Sequence, residues 1–161
     1  LSYPVFESAE FIMSNDMDVP GRCNCARIRR AARNVTRYYD AKLAPAGIGA
    51  NQFTLLGYLK QRGPMRMVQL AELLAMDRAT LGHNVRPLER DGLLETKPDK
   101  TDGRARLVSI TTSGRAKMAL ARPYWDEAQD RFESRFGVSE AMAVRGMMDA
   151  IADLHLGDVA A

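Results

Sequence analysis

At 161 residues, 46% hydrophobic and 27% charged, the chain has the composition of an ordinary globular protein with one core, which excludes fibrous and disordered classes. No run of about 18 apolar residues suggests a membrane span, and no basic region followed by an apolar block suggests a secretory signal, so the expected setting is the cytoplasm. Two cysteines are too few for a disulfide framework, and a net charge of +3 is too small to argue for nucleic acid by itself.

Residues 1–21 carry Glu7, Glu10, Asp16 and Asp18 with no Lys or Arg. They lack sustained periodicity and read as an N-terminal extension or arm, to which no function is assigned. The sign then reverses: Arg22, Arg27, Arg29, Arg30, Arg33, Arg37 and Lys42 stand against Asp40 alone over residues 22–42. Ile28, Ala31, Ala32, Val35, Tyr39 and Leu43 recur at three- and four-residue steps until Pro45 and Gly47, which predicts a long amphipathic helix from Arg22 to Leu43.

A second helix is expected from an Asn51 cap through Phe53, Leu56 and Leu59 to a stop at Gly63-Pro64. A short third follows around Leu70 to Ala75, without a good polar cap at its start. Asp77 caps a fourth, Arg78 to Arg90, with Leu81, Val85 and Leu88 on its buried face and a distortion rather than an end at Pro87. Two β-compatible runs, Leu93–Lys97 and Arg106–Ile110, flank a polar loop and predict a hairpin. Thr112 or Ser113 opens a long helix, bent at Pro123. Ser139 caps a last one, whose apolar face would be Met142, Met147, Ile151 and Leu154.

The predicted fold is mainly α with a small β-hairpin, and the central order of elements is that of a winged helix-turn-helix. In that arrangement the helix after the turn lies in the major groove and the hairpin reaches the neighbouring backbone or minor groove. Arg78, Thr80, His83, Asn84 and Arg86 are the polar members of the fourth helix; Arg and Asn are suited to the edges of guanine and adenine. Lys97, Lys100, Arg104 and Arg106 give the hairpin a cationic rim that attracts phosphate. Either set alone is an ordinary solvated face. Their joint placement favours DNA.

The stretch LAELLAMDRATLGHNVRPLERDGLLETKPDKTDGRARLVSITTSGR, residues 70–115, resembles the MarR family of bacterial winged-helix regulators, and the likeness extends over about residues 22–155. The resemblance implies a repressor that is a two-fold homodimer on double-stranded DNA with a near-palindromic operator. It divides residues 22–161 into a DNA-binding module at 51–111 and a helical dimerisation region at 22–48 plus 112–157. Asp102 and Arg104 stand at the family's Asp-x-Arg positions, which makes Arg104 the minor-groove arginine and Asp102 its orienting partner. Gly103 stands between them where the family often has a charged residue.

Two triggers for release stay open. Cys25 is similar in its spacing to Thr36 and Tyr39 to the cysteine of the organic-hydroperoxide-sensing branch of that family, although Arg29 and Ala50 replace two of the branch's tyrosines. A helix N-terminus and nearby arginines favour a thiolate. Cys23 and Cys25 point about 200° apart on a regular helix, so they share a metal or a disulfide only if Cys23 precedes the helix. A small buried apolar role is the plain alternative. The second trigger is a small aromatic or carboxylate effector in a crevice lined by Arg33, Tyr38, Tyr39 and Phe53, with Trp125 nearby. No cofactor, metal or membrane is expected. Gly-rich phosphate loops, nucleophile turns and spaced histidines are missing, so catalysis is not expected. A winged-helix module that binds protein without DNA is the alternative.

Overall fold

The computed structural model describes residues 22–99 and 101–154; the N-terminal arm and Lys100 lie outside the described residues. The chain divides into two units, Leu1–Val35 and Thr36–Ala161. Helix α1, Asn24–Leu43, begins in the first and ends in the second.

Within the first unit, Cys23 sits just ahead of α1 and its Sγ accepts the Ala26 N–H at 3.4 Å. The thiol occupies the place of a capping hydroxyl. Ile28, Ala31, Ala32 and Val35, the expected apolar face of this helix, are exposed on the single chain. Among the apolar positions expected on α1, only Leu43 is fully buried.

In the second unit a 3-10 turn, Ala44–Ala46, follows α1 and closes on Gly47 in the left-handed region. Helix α2 is Ala50–Arg62. Its cap is not Asn51, which lies exposed inside the first turn. Asp40 Oδ1 instead accepts the Ala50 N–H at 2.8 Å and the Gln52 side chain accepts the Gly49 N–H at 3.1 Å. A carboxylate from the preceding helix thus satisfies an amide that local sequence leaves unpaired.

Strand β1, Met65–Arg66, was not expected. It pairs antiparallel with β3, Arg106–Ile110, which pairs on its other side with β2, Leu94–Pro98, so the hairpin is part of a three-stranded sheet of order β1-β3-β2. Two residues are too short to show alternation. Helix α3, Met67–Leu73, starts earlier than expected because Gln69 turns back to accept the Arg66 N–H at 3.1 Å. The turn after it runs through Ala75 at φ 49, the one described non-glycine residue in the left-handed region.

Helix α4, Arg78–Arg90, matches expectation: Asp77 caps it, Leu81, Val85 and Leu88 are buried, and it continues past Pro87. Helix α5, Thr112–Phe136, is capped by the Thr111 side chain, which accepts the Gly114 N–H at 3.0 Å. Gly114 is required there, since a Cβ would lie 2.2 Å from the Leu93 carbonyl oxygen. Helix α6, Val138–Ala152, starts one residue before Ser139, whose hydroxyl binds Glu140 rather than capping.

The core of this unit joins Leu43, Leu55, Leu56 and Leu59 to Leu70, Leu81, Leu88 and Val108, all with less than 2% exposure. It sets α3 and α4 against the sheet. The expected apolar face of α6 is bare: Met142 is 63% exposed, and Met147, Ile151 and Leu154 are also uncovered.

Candidate DNA-binding surface

The reading helix is anchored by its first turn. Asp77 accepts the Thr80 N–H at 2.9 Å through Oδ1 and the Thr80 hydroxyl at 2.6 Å through Oδ2. The hydroxyl of Thr80 and then its backbone N–H hold the Asp77 carboxyl below its usual range. The Thr80 hydroxyl therefore spends its proton on the cap and offers solvent its methyl group and an acceptor. Arg78, His83 and Arg86 are exposed, whereas Asn84 is half-buried with Nδ2 3.6 Å from Met76 Sδ. Asn84 stands at the edge of the face rather than at its centre.

The wing supplies the second set. Arg104 and Arg106 are exposed, and Arg106 Nη2 reaches toward the Thr96 carbonyl at 3.5 Å. Lys97 donates to Glu95 at 2.8 Å, which offsets part of its charge and lowers the Glu95 pKa. Asp102 bonds the Arg104 backbone and not its guanidinium: its Oδ1 accepts the Arg104 N–H at 3.1 Å while its carbonyl accepts the Ala105 N–H at 2.8 Å. The carboxylate shapes the turn that presents the arginine. Lys100 lies outside the described residues.

A concavity of about 570 Å³ brings these sets together, with Arg78 from α4 and Asp102, Arg104 and Arg106 from the wing on its walls. Arg66 of β1 lines it too and was missed by sequence reasoning. Its Nε and Nη2 donate to Asp99 Oδ2 at 2.8 and 2.7 Å, and Asp99 is 9% exposed. Asp99 Oδ1 accepts the Thr101 N–H at 2.9 Å and the Thr101 hydroxyl at 2.8 Å. The Thr101 amide, then its hydroxyl and then Arg66 hold the Asp99 carboxyl down to about 2. Residues 33 apart in sequence give no local signal of such a pair.

The effector candidates separate. Phe53 stacks on Trp125 with ring centroids 6.0 Å apart, and the two line a cavity of about 900 Å³ between α2 and α5. Arg122 covers the Trp125 ring at 5.2 Å and pairs with Asp126. Tyr38 lines a different groove, of about 540 Å³, with Lys42, Arg131 and Phe132. Tyr39, adjacent to it on the helix and so turned by about 100°, donates to Gln129 Oε1 at 2.6 Å. Burial and then the Tyr38 hydroxyl push its pKa up. Tyr38 and Phe53 therefore do not share one crevice. Arg33 is exposed in the first unit, as is Cys25.

Residues 46–105 match the sequence pattern of the MarR family. A transcriptional regulator of M. tuberculosis, MOSR, crystallised in complex with DNA, is 30% identical over 82% of this chain and 99% of its own, with a TM-score of 0.68. The chain belongs to the MarR family. It is a DNA-binding transcriptional regulator. Two further similarities bear on this MarR-family chain. The transcriptional repressor NicR of Pseudomonas putida is 24% identical over 78% of this chain and 80% of its own length. BpsR of Bordetella bronchiseptica, whose DNA binding is regulated by 6-hydroxynicotinic acid, is 24% identical over 83% of this chain and 95% of its own, with a TM-score of 0.71, and shares the fold. Among the described residues no helix is long and apolar enough to cross a membrane, and no cluster of His, Cys, Asp or Glu could hold a metal ion.

Proposed function

We propose that the chain is a cytoplasmic, homodimeric repressor that grips a near-palindromic operator and lets go when a small aromatic acid binds. The observation that carries the reading is the concavity shared by Arg78, Arg104 and Arg106, which turns the start of the reading helix and the wing to one side of the molecule. Arg78, His83 and Arg86 read base edges or adjoining phosphates, Asn84 and Thr80 contribute at the margin, and Arg104 enters the minor groove. Binding rather than catalysis is the role. Residues 51–111 make up the reading module, and 22–48 with 112–157 the dimerisation region.

The test is a titration of operator duplex, recovered by selection from genomic fragments, at rising salt. Arg104→Ala is expected to weaken binding and to reduce the log–log salt slope by about 1. An unchanged slope and affinity would remove the wing from the site. For the effector, the cavity beside Phe53 and Trp125 offers an aromatic wall with Arg122 and Lys60 at its rim, suited to a planar ring bearing a carboxylate. Trp125 is the chain's one tryptophan, so 6-hydroxynicotinic acid should quench its emission and release the duplex together.

A second trigger is favoured by Cys25, a free and exposed thiol in the first turn of α1 that a hydroperoxide can reach. Attack of the Cys25 thiolate on an organic hydroperoxide would give the sulfenic acid and release the alcohol. Cumene hydroperoxide should then dissociate the parent protein from its duplex but not Cys25→Ser. Equal release by both proteins eliminates the thiol route.

A further inference from the structure

Arg66 occupies two structures at once. Its backbone N–H is capped by Gln69 at the start of α3, and its guanidinium holds Asp99, the residue at which the chain leaves β2 for the wing loop. The loop is closed at the same residue, since the Asp99 N–H donates to the Ala105 carbonyl at 2.9 Å. Arg66 Nη2 also lies 3.4 Å from the Thr101 hydroxyl, which itself donates to Asp99. Both oxygens of this nearly buried carboxylate are thus engaged, one by the loop and the other by Arg66, the residue that leads into the first helix of the helix-turn-helix.

We infer that Asp99 is a positioning residue for DNA binding: through Arg66 it fixes the wing loop to α3, so that Arg104 and the reading helix meet DNA as one surface. A surface lysine or glutamate pair would not do this, because exposed ion pairs hold geometry weakly. Here two guanidinium donors converge on one oxygen, while the other oxygen takes two donors from Thr101, so the direction of the loop is defined from both ends. A loop ordered beforehand presents its arginine without losing conformational freedom on binding. Gly103, beside Arg104, is the residue type that restricts its own backbone least, so ordering from outside the turn counts for more there.

This inference rests on the reading of Arg104 as a DNA contact, and the experiment separates the two. Operator duplex recovered by selection is titrated with the parent, Arg104→Ala, Asp99→Asn and the double variant, with Arg66→Met and its Arg104→Ala partner as a second series. Arg66→Met breaks the same grip while leaving the backbone cap of α3. Arg104→Ala should cost the parent about tenfold in affinity. In the Asp99→Asn and Arg66→Met backgrounds it should cost less than about twofold, because the arginine is no longer presented. A general loss of folded protein would lower affinity in those backgrounds yet leave the cost of Arg104→Ala at its full value. That full, additive cost in both backgrounds would overturn the positioning role. No effect of Arg104→Ala in the parent would instead refute the wing contact, and the inference with it.

Discussion

Four donors converge on the two oxygens of Asp99, and they set how the wing responds to pH. Its carboxyl titrates at about 2 in the folded chain against 3.8 for the unconstrained group. A carboxylate lowered on folding adds stability that is complete above the unfolded value and disappears as pH falls through the folded one. The protection factor of the Thr101 amide, the exchange rate of the unstructured peptide relative to its own at the same pH, should therefore stay constant from pH 7 down to about 4 and fall between about 4 and 2. Protection already lost at pH 5 would mean that the pair does not hold the loop. Arg78, Arg104 and Arg106 were legible as single residues, because charge at helix and loop positions is a local property. Their scaffold, Arg66 with Asp99, was not, because the pair exists only once β1 has folded onto β3.

At the scale of elements, α4 was readable in its bounds and its buried face: Asp77, the 81/85/88 spacing and the persistence through Pro87 are all written in consecutive residues. The turn before it holds the opposite lesson. Glycine is the usual occupant of a left-handed position, yet Ala75 stands there at φ 49, exposed, with its N–H bonded to the Glu72 carbonyl at 3.1 Å. Crowding between its Cβ and the backbone costs about 1 kcal/mol relative to glycine. Ala75→Gly is accordingly expected to raise unfolding free energy by up to about 1 kcal/mol in urea titrations, with the m-value unchanged. The helix starts that sequence placed wrongly, at Asn51 and Ser139, have separate causes. In α2 the amide is capped by a residue ten positions away, and at α6 Gly137 takes the capping position one residue before Val138.

For the whole molecule, the apolar faces expected on α1 and α6 mark what a single chain leaves unfinished. Val138, Met142, Met147, Met148, Ile151 and Leu154 are all at least 40% exposed. Covering side chains of this size is worth about 1.5–3 kcal/mol each when complete, enough to join two copies along α6. Met142→Asp with Ile151→Asp should convert a sedimenting dimer into a monomer while leaving helical circular dichroism intact. A dimer that persists in that variant would place the contact elsewhere. Periodicity identified these faces because it reports apolarity; it carries no information on whether the cover comes from the same chain.

The near-contact at Gly114 has a mechanical meaning. With the Leu93 carbonyl filling the space where a Cβ of residue 114 would stand, the first turn of α5 cannot slide toward the base of β2 without pushing it. The 25 residues of α5 span about 37 Å, so a tilt of about 5° around its far end carries its first turn through about 3 Å. That displacement equals the length of a hydrogen bond. A movement of that size at the start of α5 presses on the carbonyl that leads into β2, the strand that carries Lys97.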